Sequence, residues 1–310
     1  MMDHPEKQPA RAPMPVATGA LPGDLGRRIR RGTQAPPSQS RAGRNLPAAI
    51  GVGVGLGALV LASLFIRKEA FVAVVVVALC LGVWELTSAF AARRIRVPVV
   101  PVMVGAIGMN VSAYTGGTQA LFVAFVLTTL AILVWRVLEV PDGAVRDVAA
   151  GVFTAGYGPF LAAFAVLMLA EDDGVWRIVT FIVVAICSDV GGYVFGVLWG
   201  KHPMAPSVSP KKSWEGVAGS VVFSVVAGIA VVVLFLEGPW WAGALVGVAT
   251  VLTATVGDLS ESLLKRDLGI KDMGSLLPGH GGLMDRLDSL LPTAPVMYLL
   301  LAVLVPVTIS

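Results

Sequence analysis

Charge is what this chain has least of. Only 14% of its 310 residues are charged, against about 25% in soluble proteins, so it cannot cover a water-facing globular surface with polar groups. Cysteine is nearly missing too. Cys80 and Cys187 both lie in apolar runs, which excludes a disulfide scaffold and leaves two small core side chains. The three histidines, His4, His202 and His280, give no zinc-ligand spacing and no nucleophile–histidine pair, and no nucleic-acid-binding motif occurs. What is abundant is apolar: 56% of the residues are hydrophobic and the mean hydropathy is +0.81. A bilayer is the natural solvent for such a chain.

Residues 1 to 46 stand apart. They are rich in Pro, Gly, Ala and Arg without apolar periodicity, and such a stretch cannot bury enough apolar area to offset its ordering entropy. A disordered cytoplasmic tail is expected, not a signal peptide. Its cluster Arg27, Arg28, Arg30 and Arg31 suits anionic headgroups or simply sets topology. Residues 47–310 form the membrane-embedded domain. Apolar runs long enough to span a hydrocarbon core of about 30 Å recur at 47–66, 70–91, 97–115, 118–135, 148–170, 175–199, 217–236, 240–257 and 289–308. The expected fold is therefore all-α and polytopic, with about nine transmembrane helices. The pair Gly116–Gly117 marks the least secure split. With the N-terminus cytoplasmic, 20 of the 23 basic residues fall inside and only Arg67, Lys68 and Arg177 outside, as the positive-inside rule requires. The loops between spans six and seven and between spans eight and nine then share the cytoplasmic face. Gly51, Gly53, Gly55 and Gly57 give overlapping small-xxx-small patterns in the first span, a pointer to helix association and a homodimer.

The chemistry concentrates between Asp258 and Asp288. Six acids (Asp258, Glu261, Asp267, Asp272, Asp285, Asp288) and four bases (Lys265, Arg266, Lys271, Arg286) fall in 31 residues. Acids at span ends are costly unless paired or solvated, which makes them functional candidates. Asp258, Glu261 and Lys265 share one helix face. Pro278-Gly279-His280-Gly281-Gly282 is a tight turn whose glycines let a phosphate approach backbone N–H groups. His280 is placed to donate to a phosphate or to scaffold the loop. Carboxylates at two span ends suit Mg²⁺, which takes one or two protein carboxylates plus substrate phosphates and water. The alternative is a charged loop whose ions pair only with each other. A second segment, Ser188–Gly216, places Asp189 inside an apolar span and offers Lys211 and Lys212 beside Ser209 and Ser213. These suit a triphosphate, although positive-inside topology explains two lysines equally well, and the spacing is not that of a P-loop. Glu85, a lone acid in the second span, is as readily structural as functional, and His202 is expected to be solvated.

At these residues the sequence resembles the phosphatidate cytidylyltransferase (CDP-diacylglycerol synthase) family. The stretch Ser262-x-Leu264-Lys265-Arg266-x4-Lys271-Asp272-x-Gly274-x2-Leu277-Pro278-x-His280-Gly281-Gly282-Leu283-x-Asp285-Arg286-Leu287-Asp288 is similar to its signature, and the run from Ser209 to Gly216 is close to its usual form. Gly192 stands where the family has Ala, a small-for-small change. The resemblance spans residues 45–310. It implies transfer of CMP from CTP to phosphatidate at a multi-pass site facing the cytoplasm of the cell membrane. It also implies Mg²⁺ on Asp258 and Asp285, and sometimes K⁺ nearby. Lys265 and Arg266 join Asp258 and Asp285 as the expected catalytic set. Substrate contacts of unassigned role are expected at Asp189, Ser209, Lys211, Lys212, Glu215, Lys271, Asp272, His280, Arg286 and Asp288. A CTP-dependent kinase of polyprenol- or phytol-type lipids is the rival enzyme. A transporter is the rival from another class, but it would carry charges near the midplane of several helices and internal repeats, whereas here most charges sit at one face and no repeat is seen.

Overall fold

The computed structural model describes residues 46–139, 142–274, 276 and 281–307. His280 and the N-terminal tail, up to residue 45, lie outside the described residues. Eleven helical segments follow in order. They are α1 (Leu46–Ile66), α2 (Lys68–Ala92), α3 (Val99–Val137), α4 (Ala144–Ala155), a π turn (Gly156–Phe160), α5 (Leu161–Ala170), α6 (Gly174–Trp199), α7 (Trp214–Phe235), α8 (Trp240–Leu268), α9 (Met284–Leu287) and α10 (Leu290–Leu304). Between α6 and α7 a short antiparallel hairpin pairs β1 (Pro203–Ala205) with β2 (Ser209–Ser213). Among the described residues, seven helical stretches are long and apolar enough to cross a membrane, and Gly51–Ile66 is a shorter apolar helix. The protein is an all-α, multi-pass membrane protein.

Two of the expected spans fall in α3. Its 39 residues would measure about 58 Å if straight, twice the hydrocarbon thickness. Gly117 interrupts it at φ 69°, ψ −161°, a backbone region that is essentially glycine-only. The chain doubles back there, because Gly105 packs against Thr128.

The loops sort onto two ends. At one, Arg93 Nε donates to the Leu268 carbonyl (2.7 Å), Arg146 to the Arg94 carbonyl (2.7 Å), and the Arg96 N–H to Asp147 (3.0 Å). Arg136 and Asp147 form a buried ion pair (3.0 Å) that braces α3 on α4 at this end. At the other, Lys68 donates to the Glu171 carbonyl, Arg177 to the Val305 carbonyl (2.6 Å) and Tyr114 to Glu69 (2.8 Å). Arg93, Arg94, Arg96, Arg136 and Arg146 thus share one end, and Lys68 and Arg177 the other.

Helices α6, α7 and α8 pack backbone against backbone. A Cβ at Gly191 would strike the Gly219 carbonyl, and one at Gly243 would strike Gly228. Small residues permit this approach where no hydrophobic force draws helices together in lipid. Gly243→Val is therefore expected to cost about 1–3 kcal/mol, read as a lower midpoint of thermal unfolding in detergent. Gly57→Val meets nothing within 4 Å and should leave that midpoint unchanged.

One span is longer than the sequence suggests. Helix α8 does not stop near residue 257 but runs to Leu268. Leu264 and Leu268 carry its apolar contacts through the charged stretch. It ends in a Schellman cap: Gly269 adopts φ 65°, its N–H bonds the Arg266 carbonyl (3.0 Å), and the Ile270 N–H bonds the Lys265 carbonyl (2.9 Å). Asp258 therefore sits inside a helix, about 15 Å from its end, rather than at the edge of a loop.

Candidate active site

A cavity of about 410 Å³ opens where α6, α8 and α9 meet the hairpin. Asp189, Lys212, Asp258, Ser262, Asp285, Arg286, Asp288 and Ser289 line it. A second, of about 230 Å³, shares Asp189, Lys212 and Asp258 and adds Lys211, Ser213 and the glycine face of α6. Residues separated by up to 100 positions in sequence thus face one space. Asp189 comes from the middle of α6. Asp258 and Ser262 lie one turn apart on α8. Ser213 caps α7, accepting from the Gly216 N–H at 3.1 Å, and so fixes the strand that delivers Lys212.

The acids are held by cations and backbone donors. Lys212 pairs with Asp258. Lys265 bridges two carboxylates, Glu261 at 2.6 Å and Asp285 at 2.8 Å. Asp285 also accepts from the Gly282 N–H (2.8 Å) and the Met273 N–H (3.0 Å), folding the loop after α8 back onto the start of α9. Glu261 is 1% exposed, and its Oε1 has no hydrogen-bond partner among the described residues; the Asp288 carboxyl lies beside it.

The donor set suits a hard divalent cation. Four carboxylates face two cations in the cavity lining, a formal excess of two negative charges. A polyanionic ligand would be repelled by that field unless a cation reversed its sign. No group of three or more His, Cys, Asp or Glu in ligating arrangement occurs among the described residues, but Mg²⁺ needs only one or two carboxylates.

A family model described as the cytidylyltransferase family matches residues 47–304. The chain belongs to the cytidylyltransferase family. Among similar proteins, the phosphatidate cytidylyltransferase of Mycobacterium leprae is 41% identical over 307 residues, covering 92% of this chain and 95% of that protein. That of Mycobacterium tuberculosis is 39% identical over 289 residues, 88% of each. The Synechocystis protein of the same name is 30% identical over 294 residues, 85% of this chain and 97% of its own.

In this cytidylyltransferase the expected site residues divide by position. Asp189, Lys212, Asp258, Asp285, Arg286 and Asp288 line one cavity, Lys211 lines its neighbour, and Lys265 stands behind Asp285. Others are turned elsewhere. Glu215 accepts from the His202 backbone N–H (3.2 Å) and contacts its Nδ1 (2.5 Å). Ser209 is engaged in the hairpin ladder opposite Ala205. Arg266 is exposed near the end of α8, and Lys271 and Asp272 are exposed in the loop beyond it, outside both cavity linings.

Two residues the sequence ranks low or passes over lie under the site. Glu85 is 3% exposed, accepts from the Met284 N–H at 2.9 Å and packs so closely on Gly274 and Gly282 that a Cβ on either would collide with its carboxylate. It pins both ends of the signature loop, and its only sequence signal is an isolated acid in an apolar span. Tyr157 lies in the π turn ahead of Pro159, its buried hydroxyl without a partner among the described residues. Asp258, Glu261 and Asp288 act on it electrostatically. Such π turns recur at functional sites.

Proposed function

We propose that the protein transfers the CMP moiety of CTP to phosphatidate, giving CDP-diacylglycerol and pyrophosphate. The observation that carries this reading is the polar cavity in which carboxylates from α6, α8 and the α9 segment face Lys212 and Arg286. It lies in a chain whose relatives bear the name phosphatidate cytidylyltransferase. The lipid phosphate is anionic at neutral pH and attacks the α-phosphorus without a strong base. A new P–O bond forms there as the bond to the β-phosphate breaks and pyrophosphate leaves. Catalysis then rests on positioning and charge neutralisation.

The residues divide that work. Lys211 and Lys212 receive the triphosphate, Arg286 neutralises phosphate at the α8–α9 side, and Lys265 acts from behind by holding Asp285 in place. Lys212 is paired with Asp258 at the cavity wall, so it exchanges a carboxylate for a phosphate as substrate enters. Asp258 and Asp285 are the residues that would hold Mg²⁺, which would supply Lewis acidity toward phosphate oxygens. Glu85 and Asp285 hold the loop against α9 while Asp189 and Asp288 keep the cavity polar.

The proposal includes the membrane setting. A tail of residues 1–46 precedes nine crossings, with α3 contributing two through its reversal at Gly117, and the basic end faces the cytoplasm of the cell membrane. The open face of α1 at Gly51 and Gly55, where an added Cβ meets nothing within 4 Å, suits a homodimer. The deciding experiment supplies phosphatidate with CTP labelled at either the α- or the γ-phosphate. Only the α label should enter the lipid fraction, and only with Mg²⁺ present. Transfer of the γ label would establish a lipid kinase instead, and Mg²⁺- and CTP-independent flux across vesicles a transporter.

A further inference from the structure

Beside the polar cavity lies a second space of opposite character. A groove of about 390 Å³ runs among α1, α2, α6 and α10, and its lining is apolar, with Leu56, Leu61, Ala78, Ile186, Leu287 and Ala294 among its walls. Leu56, Leu61 and Ile186 are 37%, 45% and 55% exposed, so the groove is open sideways to the bilayer.

Two elements join this groove to the acids. On α6, Ile186 lines the groove and Asp189, one turn further on, lines the polar cavity. At the start of the last span, Leu287 lines the groove while its neighbours Arg286 and Asp288 line the cavity. From Leu287 the groove follows the chain to Ala294, about 10 Å at 1.5 Å per residue, leading from the charged end toward the middle of the membrane. A molecule with an anionic head and an apolar chain matches both spaces at once, head on Arg286 and chain along α10.

We propose that this groove holds one acyl chain of the lipid substrate and sets the depth and direction at which its phosphate meets the acids. The inference rests on the cytidylyltransferase reading above. Lipid tails are as apolar as leucine side chains, so the groove does not draw the chain in by hydrophobicity. It acts by register, because a fixed chain leaves the phosphate few orientations other than the reactive one. A groove merely sealed by bulk phospholipid is the competing occupant.

Gly57 and Ala78 offer a way in from facing helices. Both line the groove, and an added Cβ at Gly57 meets nothing within 4 Å. In the full chain, Gly57→Phe and Ala78→Phe should each raise KM for dioleoyl phosphatidate about tenfold, a change of roughly 1.4 kcal/mol, without changing KM for CTP. Turnover of dihexanoyl phosphatidate, whose chains barely enter the groove, should stay unchanged and serves as the control for folding. Equal effects on both lipids, or none on either, would overturn the proposal.

A second measurement does not depend on turnover. Phosphatidate carrying a photoreactive group in mid-chain should label the segments around Ile186 and Leu290, and unlabelled phosphatidate should suppress that labelling where phosphatidylcholine does not. Equal suppression by phosphatidylcholine would make the groove a general lipid seam and end the proposal. Phosphatidate-selective labelling without any CMP transfer would instead keep the groove and overturn the proposed reaction.

Discussion

Asp258→Asn is expected to lower cytidylyl transfer by about 10³-fold, the scale of losing one preorganised electrostatic contact to the reacting charge, while the protein stays folded. The amide matches the carboxylate in shape, and among the described residues the Asp258 side chain accepts from Lys212. That lysine is 27% exposed and shares its cavity with three other acids, so it can pair again at little cost, within the roughly 0–1 kcal/mol of an accessible ion pair. The thermal midpoint should therefore barely move. The concentration of Mg²⁺ that half-maximally protects the protein against heating should rise. Turnover within a few-fold of the unaltered protein would remove Asp258 from the reaction. Asp285→Asn is a less clean probe. Its carboxylate also accepts the Met273 and Gly282 N–H groups, so activity and loop structure would fall together.

The second large effect is on stability. Lys265→Met should cost about 3–5 kcal/mol, the penalty for leaving buried charge without its partner. Glu261 is 1% and Asp285 6% exposed, and Lys265 bridges both. Adding Glu261→Gln to Lys265→Met should restore part of the loss, because one of the two stranded carboxylates is then neutral. Thermal unfolding of the three proteins in one detergent measures it. If Lys265→Met unfolds at the unaltered midpoint, the bridge is not a structural element.

The spans were legible because lipid imposes long apolar runs, and the charged segment because those runs make any cluster of acids conspicuous. Pairing was not legible. Nothing local ties Lys212 to Asp258, 46 positions away, or Glu85 to Met284, 199 positions away; only the packing of α2, α6, α7 and α8 brings them together. The helical face shared by Asp258, Glu261 and Lys265 was legible from their spacing, but that it belongs to the same unbroken helix as the preceding span, running to Leu268, was not, because the apolar run that defines the span stops near residue 257. Tyr157 was hidden in an apolar run, since its significance comes from a π turn and a neighbouring acid cluster rather than from its own sequence. Among the expected contacts, Ser209 and Glu215 were chosen as members of a motif, and the hairpin and His202 account for where they point.

The reversal at Gly117 bears on how the protein is made. Its turn, Thr115 to Thr118, carries no charge, and the two halves of α3 are already in contact through Gly105 and Thr128. A hairpin of this kind offers the insertion machinery no hydrophilic loop to carry across on its own, and its flanking cations, Arg96 and Arg136, lie at the same end. On the nine-crossing arrangement proposed above, both halves would enter the bilayer together as one insertion unit. A charge engineered into the turn would burden biogenesis before it ever reached catalysis.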